Sequence, residues 1–201
     1  MFGVPFLILA VLAYWVSWAW VWMPSMVVAI SLMIFFRDPP RRGSSNPRAL
    51  RSPADGRVVS IEENTDPSRG PVPGKQVAIF LSVLNCHINR APCAGVIERV
   101  RYEPGKFLDA RDPNAGKLNE SNWIFMIVGE RKVTVRQISG LIARRIVCRV
   151  REGQSVRRGQ RLGLIRFGSR TEIYLPDDVM VRVQVGQNVK GGLTDIAEFP
   201  Q

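Results

Sequence analysis

Gly168-Ser169, within Leu164-Ile165-Arg166-Phe167-Gly168-Ser169-Arg170-Thr171, is a dipeptide able to cut its own chain. The serine hydroxyl can attack the carbonyl just before it, because glycine puts no Cβ in the way and tolerates strained backbone. The resulting ester can eliminate, which breaks the chain and leaves a pyruvoyl group at the new N-terminus. Gly-Ser is also a common turn pair, so its surroundings decide. His87, the only histidine, ends the apolar run Leu81-Ser82-Val83-Leu84-Asn85-Cys86-His87. A lone histidine is more often structural than catalytic, yet this is the only side chain here whose ordinary pKa suits proton transfer near neutrality. Asp55, in Ser52-Pro53-Ala54-Asp55-Gly56, reads as a turn residue or as a carboxylate that orients a histidine. Ser169, His87 and Asp55 together supply nucleophile, base and orienting group, although such a trio can be picked from most chains.

The elements that must hold these residues divide the chain in three. The first 36 residues carry no charged side chain. As one helix from Pro5 to Phe36 they would run about 48 Å, too long for one upright span of about 30 Å of hydrocarbon. Trp15, Trp18, Trp20 and Trp22 would then sit at the bilayer centre, whereas tryptophan prefers the interface. A short re-entrant hairpin turning near Trp22 to Ser25 accounts for both, with one tilted, kinked span as the alternative. No basic segment precedes the run, which argues against a cleaved signal peptide. Arg37, Arg41, Arg42, Arg48 and Arg51 follow it in a Pro/Gly/Ser-rich linker over 37–53. They mark a cytoplasmic flank and suit anionic lipid headgroups. A net charge of +11 would otherwise suggest nucleic acid, but beside an apolar anchor the membrane is the simpler partner. Cys86, Cys93 and Cys148 lack zinc spacing and read as small reduced core residues, so neither a metal nor a disulfide is expected.

From residue 54 onward the pattern is mainly β. Arg57–Ile61, Gln76–Val83, Val96–Tyr102, Trp123–Val128, Lys132–Ile138 and Ile142–Val150 are short β-branched runs bounded by Gly, Pro or Asn. Gly129-Glu130-Arg131 suits a hairpin turn, and no amphipathic helix of useful length follows Arg51. Gly95–Gly105 and Gly140–Gly153 share a rhythm, and the second resembles the hammerhead units of lipoyl and biotinyl domains. The polar stretch of 20 residues from Glu103 to Asn122 is either a functional loop or disorder.

Six segments occur in order: Phe35-Phe36-Arg37-Asp38-Pro39, Ser52-Pro53-Ala54-Asp55-Gly56, His87-Ile88-Asn89-Arg90-Ala91-Pro92, Asn119-Glu120-Ser121-Asn122, Gln137-Ile138-Ser139-Gly140-Leu141-Ile142-Ala143-Arg144-Arg145 and Arg166-Phe167-Gly168-Ser169-Arg170. This ordered set resembles the short prokaryotic class of phosphatidylserine decarboxylase proenzymes, over nearly the whole chain from Phe35 to Pro176. The resemblance implies a lipoyl/biotinyl-like barrel-sandwich domain over 54–201 behind an N-terminal hydrophobic membrane hairpin or helix over 1–36. It implies autocatalytic cleavage between Gly168 and Ser169 into a β subunit (1–168) and an α subunit (169–201) that stay together. The cofactor would be a pyruvoyl group made from Ser169, without a metal. It would form a Schiff base with the amine of phosphatidylserine and accept the electrons left by departing CO₂, and phosphatidylethanolamine would be released.

His87 is the expected proton carrier, assisted in self-cleavage by Asp55. Glu120, by motif position, is a further acid or base. Arg90 could meet the substrate's phosphate or carboxylate. Longer relatives carry His-x-x-His-x-Pro where this chain has Arg90 in place of the second histidine, so both histidine roles fall to His87, to water or to another group. The expected location is the cell membrane, with the catalytic domain on the cytoplasmic side. No nucleic-acid partner is expected, and a homo-oligomer is compatible with the sequence. Other readings are a membrane-tethered lipoyl-like adaptor without chemistry, a carrier domain and a serine hydrolase. The carrier needs a lysine at a hairpin tip, and neither Lys106 nor Lys132 has the usual setting.

Overall fold

The computed structural model describes residues 3–15, 19–112, 114–141, 145–165 and 168–200. They fall into two compact units, Met1–Pro39 and Pro40–Gln201. In the first, α1 (Val4–Trp15) and α2 (Ala19–Phe35) are apolar on every face instead of along one stripe. They pack on each other through an edge-to-face pair, Tyr14 against Trp22, at 5.8 Å. The hairpin is therefore present, but its break is misplaced by the sequence reading. Trp22–Ser25 is helical, Pro24 lies inside α2, and the Ser25 hydroxyl donates to the Val21 carbonyl at 2.8 Å. A break there would strand backbone N–H and C=O groups in the middle of an apolar run, where continuing the helix satisfies them. Among the described residues, no helix is long and apolar enough to cross a membrane.

The second unit is built from β1 (Ala49–Arg51), β2 (Gly56–Asn64), β3 (Gly74–Leu81), β4 (Ile88–Arg90) and β5 (Gly95–Glu103). The one-turn helix α3 (Ala115–Leu118) is followed by β6 (Ser121–Val128), β7 (Arg131–Ile138), β8 (Ile146–Cys148), β9 (Ser155–Val156) and β10 (Arg161–Ile165). The last strands are β11 (Ser169–Pro176), β12 (Met180–Val181), β13 (Asn188–Val189) and β14 (Asp195–Glu198). Eight of them form a curled antiparallel half-barrel in the order β13-β2-β3-β11-β7-β6-β5-β9. Two three-stranded sheets, β4-β10-β8 and β1-β14-β12, complete the β unit. Val77, Ile79, Leu81, Val135, Ile173 and Leu175 from the centre of the large sheet share one core with Leu50, Ala91, Leu162 and Ile196.

Five of the six expected strands form within a few residues of the expected bounds. The sixth shrinks to β8, and Ile142, Ala143 and Arg144 lie outside the described residues. Of the two similar segments, only the first is a long strand. The polar stretch Glu103–Asn122, of which Pro113 lies outside the described residues, forms a hydrogen-bonded roof. The Lys106 N–H donates to the Leu118 carbonyl at 2.7 Å, the Glu120 N–H to the Lys106 carbonyl at 3.0 Å, and the Leu108 N–H to Asn119 Oδ1 at 2.8 Å. Two linker arginines expected at lipid headgroups turn inward instead. Arg41 pairs with Asp55, and the buried Arg51 donates to the carbonyls of Gly192 and Ser44.

Candidate active site

Ser169 is the first residue of β11, a central strand in register with β3 (Ser169 opposite Leu81) and β7 (Arg170 opposite Ile138). Side chains alternate along a strand, so Ser169 and Thr171 face the interior while Arg170 and Glu172 face the other way. The Ser169 side chain is fully buried, and its hydroxyl makes no hydrogen bond among the described residues. Burying a hydroxyl without a partner costs about 1–3 kcal/mol, so this one among the described residues is a significant observation. Gly168 sits at φ +53°, in the left-handed region that favours glycine, with open space where a side chain would stand. Arg166 and Phe167 lie outside the described residues.

His87 follows the turn in which Asn85 Oδ1 accepts from the N–H and hydroxyl of Ser82, both at 2.8 Å. It is buried, and its carbonyl accepts the Ile165 N–H at 3.2 Å, close in sequence to Gly168-Ser169. Two residues on, Asn89 Nδ2 donates to Thr171 Oγ1 at 2.9 Å, and Gln137 Nε2 donates to Asn89 Oδ1 at 2.8 Å. Asn122 Nδ2 extends the chain to Gln137 Oε1 at 3.0 Å. These four buried side chains tie β4 to β11, β7 and β6. Along the sequence, the two residues of the Asn89–Thr171 bond lie two positions after His87 and Ser169.

The turn bearing Asp55 packs on β4, where the Pro53 carbonyl accepts the Arg90 N–H at 2.8 Å. Asp55 Oδ2 accepts from Arg41 at 2.8 Å and Oδ1 from the Gly191 N–H at 2.7 Å. A carboxylate has about four lone-pair positions, so these two bonds leave it further capacity. Arg90 is buried and donates to the Gly159 carbonyl at 3.0 Å.

Glu120 is also buried. Desolvation pushes its carboxyl above the usual range, while hydrogen bonds from the Ile146 N–H and the Tyr102 hydroxyl pull against that rise. An acid with a raised native pKa weakens the fold as pH climbs from its unfolded value through its native value. Glu120→Gln should therefore melt higher than wild type at pH 7, with the difference gone near pH 4 in paired thermal melts. Equal melting temperatures at pH 7 would contradict this assignment.

Two adjoining cavities share Phe80, Ser82, Ala110 and Arg111. The smaller, about 410 Å³, reaches Gly168 and is lined by Phe80, Val83 and Leu141 beneath Asp109–Arg111 of the roof. The larger, about 730 Å³, carries Arg57, Arg69, Arg111, Lys117, Arg136 and Arg170 against Glu62 and Glu172. Glu172 is buried between Arg170 (2.8 Å) and Arg136 (3.4 Å) and accepts the Tyr174 hydroxyl at 2.7 Å. Burial, with the negative Glu172 next, pushes that phenol upward. The sequence assigned no role to the charged cavity groups, nor to Asn89, Gln137 and Thr171; Asn89, Gln137 and Arg170 were visible only as members of the ordered motif segments.

The family model described as phosphatidylserine decarboxylase matches residues 29–197. A phosphatidylserine decarboxylase proenzyme of Nitrosomonas eutropha is 42% identical over 197 residues, covering 96% of this chain and 89% of its own. Those of Cupriavidus metallidurans (40%, 98% and 93%) and Gluconacetobacter diazotrophicus (47%, 83% and 76%) carry the same description. With a nearly full-length match and a buried, unpartnered serine after a left-handed glycine, the chain belongs to the phosphatidylserine decarboxylase family.

Proposed function

We propose that this chain is a proenzyme that cuts itself between Gly168 and Ser169 and then decarboxylates phosphatidylserine to phosphatidylethanolamine, with a pyruvoyl group made from Ser169. The carrying observation is the Ser169 hydroxyl, buried without a partner among the described residues, directly after a glycine at φ +53°. In the cut, Ser169 Oγ bonds to the Gly168 carbonyl carbon and the C–N bond breaks, which gives an ester and a free amine. Loss of the Ser169 α-proton expels the Gly168 carboxylate. Water then replaces the amine, which leaves as ammonia, and the ketone remains. No oxidant is required.

The ketone supplies an electron sink for an amino acid losing CO₂. His87, two residues from the Asn89–Thr171 bond, is the group suited to take the hydroxyl proton and later to move a proton at the substrate's Cα. Asp55, fixed by Arg41 and Gly191, supports a positively charged histidine from the turn packed on β4. No metal enters this scheme. The cut pieces, 1–168 and 169–201, stay joined because β11 pairs with β3 and β7, and β14 with β1. Buried Ile173, Leu175 and Ile196 contribute about 1.5–3 kcal/mol each.

The small cavity suits the lipid, with apolar Phe80, Val83 and Leu141 at its mouth and the cationic chamber beside it for the headgroup's negative charges. Exposed Val83, Leu84 and Leu141 suit contact with a bilayer surface, the 54–201 unit lying on its cytoplasmic side. A lipoyl-type barrel-sandwich is consistent with the half-barrel closed by smaller sheets.

Cyanoborohydride with phosphatidylserine vesicles tests this reading. The lipid amine should become fixed to the 169–201 fragment with loss of activity. Labelling elsewhere, or none, would refute it.

A further inference from the structure

A side chain at Gly140 would collide with the bond proposed to be cut. A Cβ built there lies 2.1 Å from the Gly168 carbonyl oxygen, 3.1 Å from its carbon and 3.3 Å from the Ala110 Cβ. The near atom is backbone, so no side chain can swing away. Gly140 cannot retreat either. The preceding Ser139 is fully buried, and its N–H and hydroxyl both donate to the Glu120 carbonyl, at 3.0 and 3.1 Å. Asn119 Nδ2 donates to the Ser139 carbonyl at 2.9 Å and to the Leu108 carbonyl at 2.8 Å. Asn119 and Glu120 thus clamp Ser139 and press the bare Cα of Gly140 against the Gly168 carbonyl.

We infer that Gly140 is a positioning residue for self-cleavage, and that the Asn119–Glu120 clamp on Ser139 exists to hold it against the scissile carbonyl. This rests on the reading that the chain cuts itself after Gly168. In the first step a bond forms between Ser169 Oγ and the Gly168 carbon, the hydroxyl proton passes to a base, and the carbonyl electrons move onto the oxygen. That oxygen is the atom Gly140 confines, so its direction relative to the attacking hydroxyl is set by contact with residue 140. An added methyl would have to displace it by about 1 Å, and a misplacement of that size costs on the order of 100-fold in rate.

The test follows cutting of freshly made wild-type, Gly140→Ala and Asn119→Ala proenzyme by intact mass, with and without hydroxylamine, and with thermal melts of each. Gly140→Ala should melt cooperatively and cut about 100-fold more slowly. Hydroxylamine, which opens a serine ester, should not restore its cutting, because the ester itself forms slowly. Cutting at the wild-type rate, or rescue by hydroxylamine, would overturn the inference. If Gly140→Ala does not fold, Asn119→Ala decides: it keeps the glycine but loses the clamp, so slowed cutting supports the role and wild-type cutting refutes it. A wild-type chain that remains uncut after Gly168 would instead sink the self-cleavage reading itself.

Discussion

Ser169→Ala should leave one uncut chain of 201 residues, with decarboxylation reduced by more than about 10⁴-fold, as for loss of a catalytic nucleophile. The same change should leave stability unharmed. Its hydroxyl is buried without a hydrogen bond among the described residues, so removing it relieves a desolvation cost and breaks none of the bonds found there. This combination separates a chemical role from a structural one. A packing serine would lose stability with little effect on chemistry; here melting temperature should hold or rise while cutting and turnover vanish. Gel mobility, a thermal melt and a CO₂-release assay on one preparation read all three. Residual turnover by an uncut Ser169→Ala chain would exclude the pyruvoyl group.

His87→Ala should cost about 10²–10⁴-fold, in cutting, in turnover or in both, the usual scale for a general acid–base. Its burial makes cavity formation the competing explanation, so His87→Gln is the informative companion. Glutamine nearly fills the space and retains hydrogen bonding, but it cannot titrate near neutrality. Loss in both variants, with melting of the glutamine form close to wild type, assigns proton transfer to His87. Wild-type cutting and turnover in His87→Gln would make it a core residue. Because His87 is the only histidine, any pH dependence near neutrality that disappears in His87→Gln would be its own.

The chemistry was more legible in the sequence than its setting. Gly168-Ser169 stands out because glycine before serine is what a self-cutting bond requires, and the ordered segments around it carried the family resemblance. The strand beginning at Ser169 was not legible. Ser169-Arg170-Thr171-Glu172 is an unbroken polar run that local pattern assigns to a loop, yet Glu172 is buried because Arg170 and, from β7, Arg136 compensate it. The Asn89–Gln137–Asn122 chain joins residues 15 and 48 positions apart, and local pattern cannot show such partners. Asp55 suits the orienting of a histidine by sequence alone, but in the fold it accepts from Arg41 and the Gly191 backbone, partners visible only once distant turns are brought together. The N-terminal hairpin was legible from its charge-free composition. Its turn was not, because the demand for internal backbone hydrogen bonding carries α2 through Trp22–Ser25 despite Pro24 and the tryptophans.

Intact mass of the purified wild-type protein tests the central claim most directly. The account predicts two chains divided after Gly168, the smaller spanning 169–201, lighter by one ammonia than a serine-started peptide and resistant to stepwise N-terminal degradation. An active preparation consisting of one unbroken chain would contradict it.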